Sequence, residues 1–323
     1  MIKAHGVGWM PRWVAAMVFG SIGVAPALAQ LPPLIELRPN LAPGTSTRYE
    51  VRSDVMVQQE LTTTPQPDAE GEAEAAEEAA ENAVDRRTFA GSLVMVVRLE
   101  VPAGAEVADD AESVATTLVI ESLTLEDGDP ETDTLELPAE GDNDPAARGE
   151  VVGRITGENP TRVSGLADLT GAAREAFGSG SVAASLLEPT AIAGLLEPLF
   201  NADGAAPGKR VGYGWENEEE IELPPVALLT LTRQYKLGEP DGGTVPITMT
   251  LEGSLSVSPP EGSLAPTIAI REAIGSGETI WHHAHGHLGS REATQRIVTT
   301  WTLGSNAMVN TQTSTQRHAV LDH

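Results

Sequence analysis

The densest chemistry in this sequence lies at Trp281-His282-His283-Ala284-His285-Gly286-His287, where four of the seven histidines fall within six residues. Side chains of an extended strand alternate between its faces, so His283, His285 and His287 would share one face. Three imidazoles so placed can bind zinc, with a water or a carboxylate such as Glu278 or Glu292 completing the shell. The alternative is a hairpin turn centred on Gly286, which would point the same rings in different directions at a solvated edge. Short His-rich tracts are compositional signals, and the sequence leaves both readings open.

Other chemical signatures fail on spacing. Asp127-Gly128-Asp129-Pro130-Glu131-Thr132-Asp133 offers alternate oxygen ligands. A helix-loop-helix calcium loop needs Gly at its sixth position and Glu at its twelfth, and here those are Thr132 and Pro138. No Gly-x-Ser-x-Gly elbow occurs. Gly212-x-Gly214 lacks the third glycine of a dinucleotide fingerprint. With 47 acidic residues, carboxylate pairs are expected by chance. The chain has no cysteine, which removes thiol catalysis, thiolate metal ligands, disulfides and a lipid-modified N-terminal cysteine. The reading is therefore of a non-catalytic protein.

Charge and address narrow the partners. A formal charge of −27 disfavours nucleic acid and anionic membrane surfaces, which would repel the chain. Residues 1–29 read as a secretory signal. Lys3 and Arg12 supply the positive start, residues 13–24 the apolar stretch, and Ala27-Leu28-Ala29 the small-x-small site, with the cut expected between Ala29 and Gln30. The stretch is too short for a membrane span, which needs about 20 apolar residues. The mature chain is thus expected in the periplasm or secreted, with no integral span after cleavage.

The elements that would position any site are mostly strands. Residues 30–44 are Pro-rich and irregular. A single β-rich domain is expected over 45–323. Alternation is clear at 47–60 (Tyr49, Val51, Val55 and Val57 on one face), 88–101 (Phe89, Leu93, Met95, Val97, Leu99, Val101) and 113–125 (Thr117, Val119, Leu123, Leu125). It returns at 226–237 and is strongest at 244–257, where Val245, Ile247, Met249, Leu251, Leu255 and Val257 alternate with polar residues. Later strands are expected at 267–274, 278–285, 287–303 and 307–320, with Gly275-Ser276-Gly277 and Ala284-His285-Gly286 as turns. Two acidic tracts, 62–86 and 126–148, have little apolar surface to bury and read as disordered insertions. A short strand is expected at 149–156, paired through a turn with 161–164.

The middle differs. Residues 168–200 carry helical spacing, with Leu186, Leu187, Leu195, Leu196, Leu199 and Phe200 as the apolar stripe, Pro189 in a first turn and Pro198 at an end. That stripe needs a cover, most simply the concave face of a sheet. The expected fold is mainly β (α+β), a curved antiparallel sheet or half barrel with a central helical insertion packed on its concave face.

The segments Lys209-Arg210-Val211-Gly212-Tyr213-Gly214-Trp215, Gly277-Glu278-Thr279-Ile280-Trp281 and Gly286-His287-Leu288 resemble the corresponding parts of an uncharacterised family of exported, β-rich bacterial proteins. At fold level the plan is similar to the half barrels of periplasmic lipoprotein carriers, which implies a curved sheet cupping helices and an apolar ligand. Fold analogy does not assign function. The leading expectation is an envelope protein that holds an apolar small molecule, or a partner protein's apolar segment, between sheet and helices. Leu195, Leu196, Leu199 and Phe200 would form a movable lid, and Trp215 and Trp281 would stand at the cavity rim. The rivals are a zinc-binding or zinc-dependent protein built on His283, His285 and His287, and a structural component of the envelope.

Overall fold

The structure is a computed structural model. It describes residues 34–37, 42–63, 84–101, 103, 115–128, 135–136, 150–154, 166–178, 180–200, 202, 208–223, 227–257, 267–304 and 306–322. Residues 1–29, with the expected signal and cleavage site, lie outside them.

In chain order the elements are β1 (Leu34–Ile35), β2 (Ser46–Thr63), β3 (Val84–Glu100), β4 (Ala115–Asp127), β5 (Leu135–Glu136), β6 (Glu150–Arg154), α1 (Leu166–Phe177), α2 (Val182–Leu186), α3 (Pro189–Phe200), β7 (Lys209–Arg210), β8 (Gly214–Leu223), β9 (Ala227–Leu237), β10 (Val245–Val257), β11 (Thr267–His282), β12 (His287–Leu303) and β13 (Asn306–Asp322). Eleven strands make one antiparallel sheet in the order β5-β4-β3-β2-β13-β12-β11-β10-β9-β8, with β6 also on β4. The sheet is open rather than a closed barrel, with a small helical insertion, as the alternation and the helical stripe predict.

One face of this sheet is apolar because the strands keep their period of two. On β3 the side chains from Gly91 to Leu99 alternate buried and half-buried, and Leu93, Met95 and Val97 are fully buried. The helices lie on that face. α2 packs on β3, β2 and β4, and α3 on β2 and β12. A hydrogen bond from Thr170 Oγ1 to Leu187 O (2.8 Å) ties α1 to the end of α2. The helices and both arms of the sheet share one core cluster.

Several expectations change. Gly275-Ser276-Gly277 is not a turn but the middle of β11, paired with Met249 to Leu251 on one side and Ala293 to Gln295 on the other. A Cβ on Gly275 would meet Thr294 O at 2.8 Å. These glycines let the backbone of β12 close in, a role of strand glycine that local sequence does not separate from a turn. The acidic tracts are shorter than expected. Thr62 and Thr63 belong to β2 and residues 84–86 to β3, with Thr62 paired to Val84 and Arg86 Nε 3.0 Å from Glu60 Oε1. Glu126 and Asp127 lie in β4, and Leu135–Glu136 pairs with Thr124 and Leu125. Apart from Gly128, the rest of both tracts, and residues 161–164, lie outside the described residues.

The Pro-rich segment 30–44 is not simply irregular either. Leu34–Ile35 pairs with Lys209–Arg210, which stand apart as β7, and Ile35 and Leu37 are buried in the main core. Their short alternation is masked in the sequence by the surrounding prolines. On β4 the buried residues are Leu118 and Ile120, then Leu123 and Leu125. A bulge between these pairs shifts the register and places Val119 on the other face. The nearby Glu121 carboxylate sits 2.8 Å from Arg48 and 3.2 Å from Arg98.

Candidate ligand-binding site

Cross-strand register turns the concave face into rows. Met95, Val51, His318, Arg291, Thr279 and Ile247 are successive partners across β3, β2, β13, β12, β11 and β10. Every one of them is buried. This row lies toward the histidine-turn end of the sheet, under the helices. The rows toward the opposite end, where Gly304 turns β12 into β13, differ. Leu61, Met308, Trp301 and Ile268 are successive partners, as are Phe89, Val57, Gln312, Ile297 and Ala273. Leu61 and Phe89 are 41% and 40% exposed, and Val57, Met308, Ile297 and Trp301 are half-buried. The apolar lining of the trough therefore runs on beyond the described helices.

A polar seam crosses this apolar face. On β13 Asn310, Gln312, Ser314, Gln316 and His318 alternate onto the concave side, between apolar β2 to β4 on one flank and β9 to β11 on the other. Polar groups in such a place cost stability unless satisfied. Arg291 Nη1 donates to Gln316 Oε1 at 3.1 Å. His318 Nε2 lies 2.7 Å from Leu195 O. A carbonyl only accepts, so Nε2 carries the proton and His318 tethers α3 to the sheet. The side-chain atoms buried without a hydrogen-bond partner include the Trp281 Nε1–H donor and the Asn310 Oδ1 acceptor. Burial also pushes the Tyr49 phenol up, well out of the range of a neutral-pH acid.

The stripe of α3 is fully engaged. Leu195, Leu196, Leu199 and Phe200 are between 0% and 6% exposed and sit in the core cluster with Ile192. Pro189 opens α3 as the sequence implies, and Pro198 falls inside its last turn. Trp281 is not at a rim. It is completely buried among the core side chains and pairs across the sheet with Val245 and Leu288. Its alternation on β11 fixes it inward, which a local motif cannot reveal. Trp215 is half-buried and stacks with Tyr235 at 5.3 Å and with Tyr213 at 6.3 Å, and Lys209 Nζ lies 4.0 Å from the Tyr213 ring. Trp215 is thus part of an aromatic stack, and it lies on β8 at the sheet's margin.

The histidines do not share one strand face. β11 ends at His282, residues 283–286 form the turn, with Gly286 at φ +66°, and β12 begins at His287. The turn closes through Gly286 N–H to His282 O at 2.7 Å. His283 and His285 belong to the turn and His287 to the next strand, which corrects the single-strand arrangement. The glycine reverses the chain before period-two alternation can operate. Among the described residues no group of three or more His, Asp or Glu side chains converges as a metal centre.

Sequence reasoning missed the seam. His318, Arg291 and the amides of β13 are polar residues of the concave face, and the alternation at 310–318 was the available signal. On the convex face, an open hollow of about 280 Å³ is lined by Asp54, Ser92, Glu126, Thr313 and Thr315, among others. Asp54 there accepts hydrogen bonds from Ser92 (2.8 Å) and Arg52 (2.8 Å). No helix among the described residues is long and apolar enough to cross a membrane. No protein-family model matches the chain, and no curated protein matches it in sequence.

Proposed function

We propose that this chain is a non-catalytic carrier, acting outside the cytoplasm, that holds an apolar ligand in the trough between sheet and helices. The observation that carries the reading is the continuation of the apolar lining past the helices, through Ile297, Trp301, Met308 and Val57 to exposed Leu61 and Phe89. A trough built only to seat three helices would not need that lining. The orphan acceptor of Asn310, between the two rows at the Gly304 end, supports a ligand that is apolar with a hydrogen-bond donor. An unsatisfied buried group costs about 1–3 kcal/mol, which a ligand partner would offset.

In this reading α3 is the cover. Swinging it away would expose Ile192, Leu195, Leu196, Leu199 and Phe200, each worth roughly 1.5–3 kcal/mol of burial. A ligand that replaces the helix must therefore bring comparable apolar surface. The His318 hydrogen bond to Leu195 O would hold the closed position. The rival reading is a structural envelope domain whose helices never leave, and full burial of the α3 stripe favours it.

Native mass spectrometry of the untagged chain, exported in a bacterial host and gently purified, tests the reading together with a Leu196→Asp/Phe200→Asp variant. A co-purifying apolar molecule on the wild type, lost from a variant that still melts cooperatively by circular dichroism, is the expected result. A bare wild-type mass, no binding of a fluorescent fatty-acid analogue, and a variant that does not fold would make the helices permanent core.

A further inference from the structure

The histidines at the β11–β12 turn are unused by the carrier reading, and they lie elsewhere on the molecule. Trp281 and Leu288 point into the concave core, so their neighbours His282 and His287 stand on the opposite face, as partners across the hairpin. Their rings are 4.7 Å apart, and the His285 ring is 6.0 Å from that of His287.

Two further details turn the pair toward ligation. The His287 Nδ1 atom lies 3.0 Å from Leu288 O. The carbonyl can only accept, so Nδ1 carries the proton and Nε2 is the unprotonated nitrogen of the ring. A backbone carbonyl on the remote ring nitrogen is the usual outer support of a metal-bound histidine, because it sets both tautomer and ring direction. The second detail is Gly289. A Cβ there would stand 2.7 Å from His282 Nε2 and 2.6 Å from Cδ2. The absent side chain is the space in which the His282 ring lies beside His287.

We propose that His282 and His287 form a two-imidazole chelate on the outer face for a borderline divalent metal ion such as zinc, with His285 as a third donor reached by turning its exposed side chain. Imidazole nitrogen suits zinc, copper and nickel rather than the oxygen-seeking calcium or magnesium. Waters would fill the remaining positions. His283, which the sequence groups with His285 and His287, is no part of the pair.

The test is titration calorimetry of zinc chloride into the untagged full chain and into His282→Ala, His287→Ala and His283→Ala. Saturable binding of one zinc per chain, weakened at least tenfold in the first two variants and unchanged in the third, is expected. All three substitutions lie outside the buried core, and circular dichroism should show the same fold. Carboxylates are abundant, so copper(II) electron paramagnetic resonance supplies the second readout. Coupling to two equatorial nitrogens supports the site. Absence of saturable zinc binding, equal loss in His283→Ala, or an oxygen-only copper spectrum overturns it.

Discussion

Leu93 and Phe89 stand on the same face of the same strand, four residues apart, yet one is wholly buried and the other 40% exposed. The contrast extends across the sheet. At the histidine-turn end, the row from Met95 to Ile247 is sealed beneath the helices. At the Gly304 end, Leu61, Met308 and Trp301 carry the apolar lining into a region the described helices do not cover. Identical alternation thus produces a core in one half and an accessible lining in the other. The difference arises because the three short helices among the described residues span only part of a sheet whose longest strands reach 17 and 18 residues. At about 3.4 Å per residue such strands extend to nearly 60 Å, while the 12-residue α3 covers about 18 Å.

The sharpest way to break this comparison is to truncate both ends alike. Leu93→Ala should cost about 2–5 kcal/mol, the range for emptying a packed core site. Phe89→Ala should cost under about 1 kcal/mol, as at an exposed position. Urea melts of the two variants read the difference directly, and equal losses would mean that the Gly304 end is sealed as well.

A smaller effect should follow at the boundary between the halves. A Cβ on Gly91 would meet the Ala183 backbone nitrogen at 2.8 Å, so the start of α2 rests on a glycine of β3. Gly91→Val should cost about 1–3 kcal/mol through overpacking. Hydrogen exchange then sharpens the picture. If amides of residues 182–200 lose protection while those of β12 and β13 keep theirs, the helices open as a unit apart from the sheet. If protection falls everywhere, helices and sheet form one cooperative core.

The weakest effect belongs to the convex face, where no helix of the described residues lies. Burial raises the Asp54 pKa, but the hydrogen bonds from Arg52 and Ser92 and the Arg52 charge outweigh it and hold the carboxyl below its usual value. A depressed folded-state pKa contributes stability above the unfolded value, near 3.9, and loses it as pH falls through the folded one. The Arg52–Asp54 side chains are 45% and 31% exposed, so screening keeps the contribution below about 1 kcal/mol. Thermal midpoints of the wild type and Asp54→Asn should differ slightly at pH 7 and converge below about pH 4.

How much of this was legible depended on whether a signal was local. The alternation of 244–257 and the stripe from Leu186 to Phe200 named the inward faces correctly, because strand and helix periods are properties of short windows. Gly275-Ser276-Gly277 misled, since a glycine placed for close approach of a neighbouring strand looks like a glycine placed for a turn. Trp281 and the three grouped histidines misled for a related reason. Which way each points depends on where β11 stops and Gly286 reverses the chain.

The sequence by itself determined the class of elements, the apolar face of each long strand, the buried stripe of α3 and the absence of thiol chemistry. Those follow from side-chain periodicity and composition, which need no knowledge of neighbours. Only the tertiary structure decided that the β13 amides, His318 and Arg291 form one polar seam, that Leu195 O meets His318 across 123 residues, and that His282 rather than His283 faces His287. Register and sheet order made those decisions, because which residues become partners is set by pairing between strands far apart in the chain.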